Sequence, residues 1–99
     1  MKTLIIDNYK RKLLEICKEN DIVFMAIFGS ILRDDFRDDS DVDLLVRFSK
    51  PKSLLDLVRI ERIISETLGR KTDLLTESSI SPYLRNRIRQ EMQIFYEGT

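Results

Sequence analysis

The chain of 99 residues has no histidine, no tryptophan, one cysteine, two prolines and three glycines. Each shortage excludes something. Without histidine the usual acid/base group at neutral pH and the commonest transition-metal ligand are gone, which removes Ser-His-Asp, Cys-His and His-based zinc chemistry. Cys17 alone cannot form an intramolecular disulfide, and no apolar run reaches the ~18 residues of a membrane span, so neither a disulfide-stapled secreted fold nor a membrane protein is expected. The first residues do not have the layout of a signal peptide, which points to the cytoplasm. A chain of this length buries roughly 60–65% of its unfolded surface, enough for one core, so residues 1–99 are expected to form a single domain. Any chemistry must use carboxylates, hydroxyls, basic side chains or bound ions.

Positive and negative charges balance at 17 each, but they are not evenly mixed. Asp34, Asp35, Asp38, Asp39, Asp41 and Asp43 crowd ten positions in which Arg37 is the only base. The first four read as a solvated polar turn. Asp41 and Asp43 differ, because Val42, Leu44, Val46 and Phe48 continue with a period of two. That alternation predicts a strand from about 42 to 48 with both carboxylates on one face at its start.

The rest of the chain reads as alternating helices and strands. Tyr9, Leu13, Ile16 and Cys17 recur at helical spacing over 8–19, with Asp7 or Asn8 as the cap and Asn20 near the stop. Ile22 to Phe28 is an apolar run ending at Gly29-Ser30, as in a strand buried on both faces. Ser53 with Asp56 makes a capping box for a helix whose stripe is Leu57, Ile60, Ile64 and Leu68 and whose stop is Gly69. Thr72 to Thr76 reads as a third strand with Asp73 and Leu75 on one face and Leu74 on the other. Ser81 and Pro82 start a last helix with Leu84, Ile88 and Met92 inward, followed by a short edge strand over 94–96. The central helix is the right size for a crossover, so strands two and three should be parallel neighbours and bring Asp73 near Asp41 and Asp43.

Three carboxylates gathered on one face repel unless a cation neutralises them or one takes up a proton. A hard divalent ion such as Mg²⁺, bound through carboxylates and the oxygens of a triphosphate, answers this, and a third carboxylate admits a second ion. Gly29-Ser30, where a strand ends, offers backbone N–H groups to phosphate oxygens. Two rival motifs fail by position. A calcium loop starting at Asp39 would put Leu44 where glycine is required and Lys50 where the bidentate glutamate belongs. A P-loop needs Gly-Lys-Ser/Thr, which Gly29-Ser30-Ile31-Leu32-Arg33 lacks.

Taken together, Phe28-Gly29-Ser30, Arg33, the Asp41-x-Asp43 pair followed by Leu44-Leu45-Val46, and Asp73-Leu74-Leu75-Thr76 resemble the minimal nucleotidyltransferases of the DNA polymerase beta superfamily. The later Ser81-Pro82-Tyr83-Leu84-Arg85 and closing Tyr96-Glu97 are similar too. The resemblance implies a two-layer α/β fold with a mixed sheet and helices on one face. It implies ATP or another NTP as donor, Asp41, Asp43 and Asp73 as ligands of two Mg²⁺ or Mn²⁺ ions, and Gly29, Ser30 and Arg33 as phosphate contacts. Asp73 would also help activate a hydroxyl for attack on the α-phosphate. Ile31 and Asp34 depart from the family pattern in the turn. By the same resemblance the partner is a small helical HEPN-domain toxin modified on a tyrosine, with Arg85 and Arg89 in the contact. A non-catalytic module that occludes its toxin, or a transferase for a small-molecule hydroxyl, are the alternatives. Nucleic acid is not expected as direct substrate, since no basic groove with interleaved aromatics is present.

Overall fold

The structure, a computed structural model, describes residues 8–32 and 41–98, and gives backbone alone for Ser30 and Ile31. In chain order it contains α1 (Lys10–Glu19), β1 (Ile22–Phe28), a 3₁₀ turn (Gly29–Leu32), β2 (Val42–Phe48), α2 (Leu54–Leu68), β3 (Thr72–Thr76), a second 3₁₀ turn (Glu77–Ser79), α3 (Pro82–Glu91) and β4 (Gln93–Glu97). The four strands form one mixed sheet in the order β3-β2-β1-β4. β2 and β3 are parallel neighbours, and β1 pairs antiparallel with both β2 and β4. The expected α/β class and the parallel crossover through α2 both hold. Among the described residues no helix is long and apolar enough to cross a membrane.

The alternation of side chains along the strands divides the molecule into two faces. On one, Met25, Ile27, Val42, Leu44, Val46 and Leu74 pack with Leu13, Ile16 and Cys17 of α1 and with Ile60, Ile64 and Leu68 of α2. On the other, Phe24, Ala26 and Leu45 pack with Ile80, flanked by Phe28, Leu75, Ile88 and Met92. β1 therefore is buried on both sides, as its unbroken apolar run requires. While α1 and α2 share one face, α3 lies on the other, the face that also carries the aspartates, so the helices are not confined to one face as expected: the apolar run of β1 leaves both sides of the sheet to be covered. No residue of α3 is fully buried, and Leu84, expected inward, is 48% exposed because only Ile88 and Met92 reach the sheet.

Local signals worked where they were strongest. Ser53 Oγ accepts from Asp56 N and the Asp56 carboxylate accepts from Ser53 N, both at 3.1 Å, closing the capping box. Gly69 ends α2 at φ 69°, a conformation that costs glycine little. At α1 no side chain caps the start: Tyr9 occupies the cap position, and Asp7 lies outside the described residues. The α1 stop is as expected, with the buried Asn20 amide donating to Ile16 O at 2.9 Å. Cys17 is enclosed in the core, and burial pushes its thiol up to about 12, which removes it as a nucleophile.

β3 lies at the sheet edge, yet its outward N–H groups are taken. Thr72 N donates to Ser65 Oγ at 3.0 Å, Leu74 N to the Glu61 carboxylate at 2.8 Å, and Thr76 N to Ser79 Oγ at 3.1 Å. This closes the edge to a further strand and pins β3 against α2.

Candidate functional site

The site begins with the β2–β3 register. Val42 pairs with Thr72 and Asp43 with Asp73, so the two aspartates are direct cross-strand neighbours pointing to the same side of the sheet. On its other flank Asp43 pairs with Phe28, the last residue of β1. Asp41 stands two residues before Asp43, separated from it by Val42, which is turned to the helical face. The three acids are half-buried. The start of β2 is tied to the residue before β3 by a 2.9 Å hydrogen bond from Val42 N to Lys71 O.

Gly29 completes this corner. Its φ is +83°, a region that favours glycine. A Cβ placed there would run into Asp43 Oδ2 and would lie 3.1 Å from Asp43 Cγ, so the missing side chain is what gives the Asp43 carboxylate its room. Gly29 opens the 3₁₀ turn through Leu32, which places Ser30 on the next backbone position. Arg33 and the acidic positions Asp34, Asp35, Asp38 and Asp39 lie outside the described residues.

Of the expected residues, Asp43, Asp73 and Gly29 are brought into one corner. Asp41 stands just before β2, and its carboxylate Oδ2 lies 3.9 Å from Lys71 Nζ. Among the described residues no group of three or more Asp, Glu, Cys or His side chains is close enough to enclose an ion. The donor set nonetheless suits a hard cation, with oxygen ligands only and a carboxylate cradled against glycine. Asp43 and Asp73 are direct cross-strand neighbours, and Asp41 stands two residues before Asp43.

The two arginines expected at a partner surface also make contacts within the fold. Arg85 Nη2 donates to the carbonyls of Glu77 and Ile80 at 3.1 and 3.3 Å, and Arg89 Nη2 bonds the Glu77 carboxylate at 3.3 Å. They hold α3 to the turn that follows β3. Lys71 was missed by sequence reasoning although the signal was available: once β2 and β3 are parallel with Asp43 beside Asp73, Lys71 must stand beside Asp41. A broad depression of about 490 Å³ runs along Lys10, Arg11, Leu14, Glu15 and Lys18; its lining among the described residues comes from α1, on the side of the sheet away from the aspartates.

Comparison with known proteins identifies the family. Residues 10–95 match the family model described as a nucleotidyltransferase domain. A Methanocaldococcus jannaschii protein, named as a candidate protein adenylyltransferase, is 43% identical over 86 residues, covering 87% of this chain and 92% of the relative. The protein adenylyltransferase MntA of Thermococcus cleftensis is 32% identical over 88 residues, covering 89% and 86%. Among solved structures, one assigned as a candidate minimal nucleotidyltransferase superposes with a TM-score of 0.77 at 32% identity, covering 89% of this chain and 90% of that one. Two more share the fold. A chain of a toxin–antitoxin complex with AMP-PNP gives a TM-score of 0.76 at 18% identity, covering 91% and 73%. A chain of the complex between the tri-AMPylated HEPN toxin of Shewanella oneidensis and its MNT antitoxin gives 0.71 at 17%, covering 94% and 72%. By the family match across nearly its whole length and by its curated relatives, this chain belongs to the nucleotidyltransferase family.

Proposed function

We propose that this nucleotidyltransferase is a divalent-metal-dependent protein adenylyltransferase that moves AMP from ATP onto a tyrosine hydroxyl of a small helical HEPN-domain toxin, and so acts as its antitoxin. The observation that carries the reading is the Asp43–Asp73 pair held in register beside Gly29. The relatives named as protein adenylyltransferases, and the AMPylated toxin in the complex that shares the fold, support the choice of AMP and of a protein acceptor.

In the reaction the acceptor oxygen attacks the α-phosphorus of ATP, a new P–O bond forms, the bond to the bridging oxygen breaks, and pyrophosphate leaves with its electron pair. Asp41, Asp43 and Asp73 would hold Mg²⁺ or Mn²⁺, which supplies neutralisation of the triphosphate and lowers the pKa of the acceptor hydroxyl. Asp43 and Asp73 fix where the attack takes place, because adjacent strands of one sheet cannot move independently. Asp73 is the base that receives or shares the hydroxyl proton. Gly29 lets the phosphates approach the backbone, with Ser30 and Arg33 as further phosphate contacts. None of these steps needs histidine.

Co-expression with the helical partner followed by intact-mass measurement after addition of ATP and Mg²⁺ tests this. The expected result is a partner heavier by one or more AMP groups, with the mass on tyrosine. A partner that is silenced without gaining mass would show that this chain neutralises by occlusion instead.

A further inference from the structure

The transfer reaction gives no part to Lys71, although the fold delivers it to the aspartates. The parallel register continues back from Val42 and Thr72 to Asp41 and Lys71, and Val42 N donates to Lys71 O at 2.9 Å, which ties the two backbones together at this point. From there Lys71 Nζ reaches to 3.9 Å from Asp41 Oδ2. Lys71 also precedes Asp73 by two residues, so one segment of chain carries both a base and an acid to the corner.

This contact does little for the fold. At 3.9 Å the pair is at the limit of an ion pair, and the side chains of Lys71 and Asp41 remain 74% and 41% exposed, a setting in which ion pairs add almost nothing to stability. The weight of Lys71 lies in its charge. Asp41, Asp43 and Asp73 occupy the starts of two neighbouring strands, and a positive charge beside them offsets part of their repulsion. The same charge opposes a bare divalent ion that approaches those carboxylates, and an ammonium, with donors only, cannot become a ligand to it. An ion carried by a triphosphate is received differently. The phosphate oxygens outweigh the charge of the ion, so the complex is not repelled by a lysine. A compact charge on a flexible four-carbon stem can give way to it without moving the backbone.

We propose that Lys71 is a positioning residue that discriminates between two forms of the metal: it weakens the hold of the aspartates on the free ion and spares the ion that arrives with a nucleoside triphosphate. This rests on the metal-dependent reading above, and the test separates the two. Mn²⁺ alone and the Mn²⁺ complex of ATP are titrated calorimetrically into the full chain and into Lys71→Met and Lys71→Arg, with circular dichroism to verify folding. The side chain is exposed and the Lys71 carbonyl survives either substitution, so the fold is kept. At low salt, Lys71→Met is expected to bind free Mn²⁺ about fivefold tighter than the unaltered chain, the scale of a unit charge near a divalent ion in water. The gain should shrink in about 0.5 M KCl, which screens charge and leaves packing alone. Lys71→Arg, which keeps the charge, should match the unaltered chain, and Mn²⁺·ATP should bind Lys71→Met no tighter than it binds the unaltered chain. Free Mn²⁺ that binds all three proteins equally well or equally poorly overturns the inference and leaves the metal-dependent reading standing. A gain in Lys71→Met that is the same for both forms of the metal overturns it as well, since nothing would then be discriminated. If neither form binds any of the three proteins, the metal-dependent reading fails and takes this inference with it.

Discussion

Asp43 and Asp73 are direct partners across the parallel β2–β3 pair, and Asp43 is at the same time seated against the bare backbone of Gly29. One carboxylate is therefore fixed from two sides, by a strand that brings it a second acid and by a glycine that leaves it space. Neither constraint is local in sequence: Asp43 is 30 positions from Asp73 and 14 from Gly29.

Gly29→Ala tests the seat. The positive φ alone costs an alanine roughly 1–2 kcal/mol, and its methyl group must displace the Asp43 carboxylate. The variant should unfold at lower urea while remaining folded in buffer, and its transfer rate should fall far more than the small unfolded fraction explains. Full transfer by a folded Gly29→Ala protein would show that the Asp43 position is not critical.

Glu61 tests the closed edge. Its carboxylate accepts from Leu74 N at 2.8 Å, a charge-assisted bond to a backbone group on the strand that carries Asp73. Glu61→Ala should lower stability by about 1–2 kcal/mol in urea titrations and raise self-association through the opened edge, seen as an earlier elution in size-exclusion chromatography. Glu61→Gln, which keeps an accepting oxygen, should lie nearer the unaltered protein.

Asp21 gives a pH test away from the site. Its carboxylate accepts from Lys52 Nζ at 2.8 Å, and this bond, aided by the charges of Lys50 and Lys52, holds it below the usual Asp range. A depressed folded pKa means that the stabilisation is present above the ordinary unfolded value of about 3.9 and is lost as pH falls through the lower folded one. Between about pH 6 and pH 3 the urea midpoint should fall more steeply in the unaltered chain than in Asp21→Asn. Asparagine also tolerates the left-handed backbone at this position, φ 60°, so the substitution isolates the charge. Parallel pH profiles for the two proteins would remove the Lys52 contact from the stability of this corner.

The sequence was readable wherever a rule acts over a few residues. Period-two alternation placed β2 at 42–48, a capping box and a glycine bounded α2 at Leu54–Leu68, and the apolar run of β1 declared burial on both faces. Connection length sufficed for the parallel pairing that joins Asp43 to Asp73. What escaped was set by tertiary packing. Leu84 has helical spacing with Ile88 and Met92, yet α3 tilts only its later turns onto the sheet. Arg85 and Arg89 share a helix face in sequence, and only the folded chain shows the turn at Glu77–Ser79 coming back to bond both of them. Lys71 beside Asp41 follows from register alone, and register becomes explicit only when strands are paired.

The most direct measurement of the central claim is AMP transfer from α-labelled ATP to the co-purified helical partner by Asp43→Asn and Asp73→Asn, compared with the unaltered chain. Each substitution keeps size and removes one charge from the cross-strand pair. Both variants should remain folded and still bind the partner, while transfer falls by at least about a hundredfold, the scale of losing positioned charge at a reacting phosphoryl group. Transfer that persists undiminished in either variant would contradict a mechanism built on these two carboxylates.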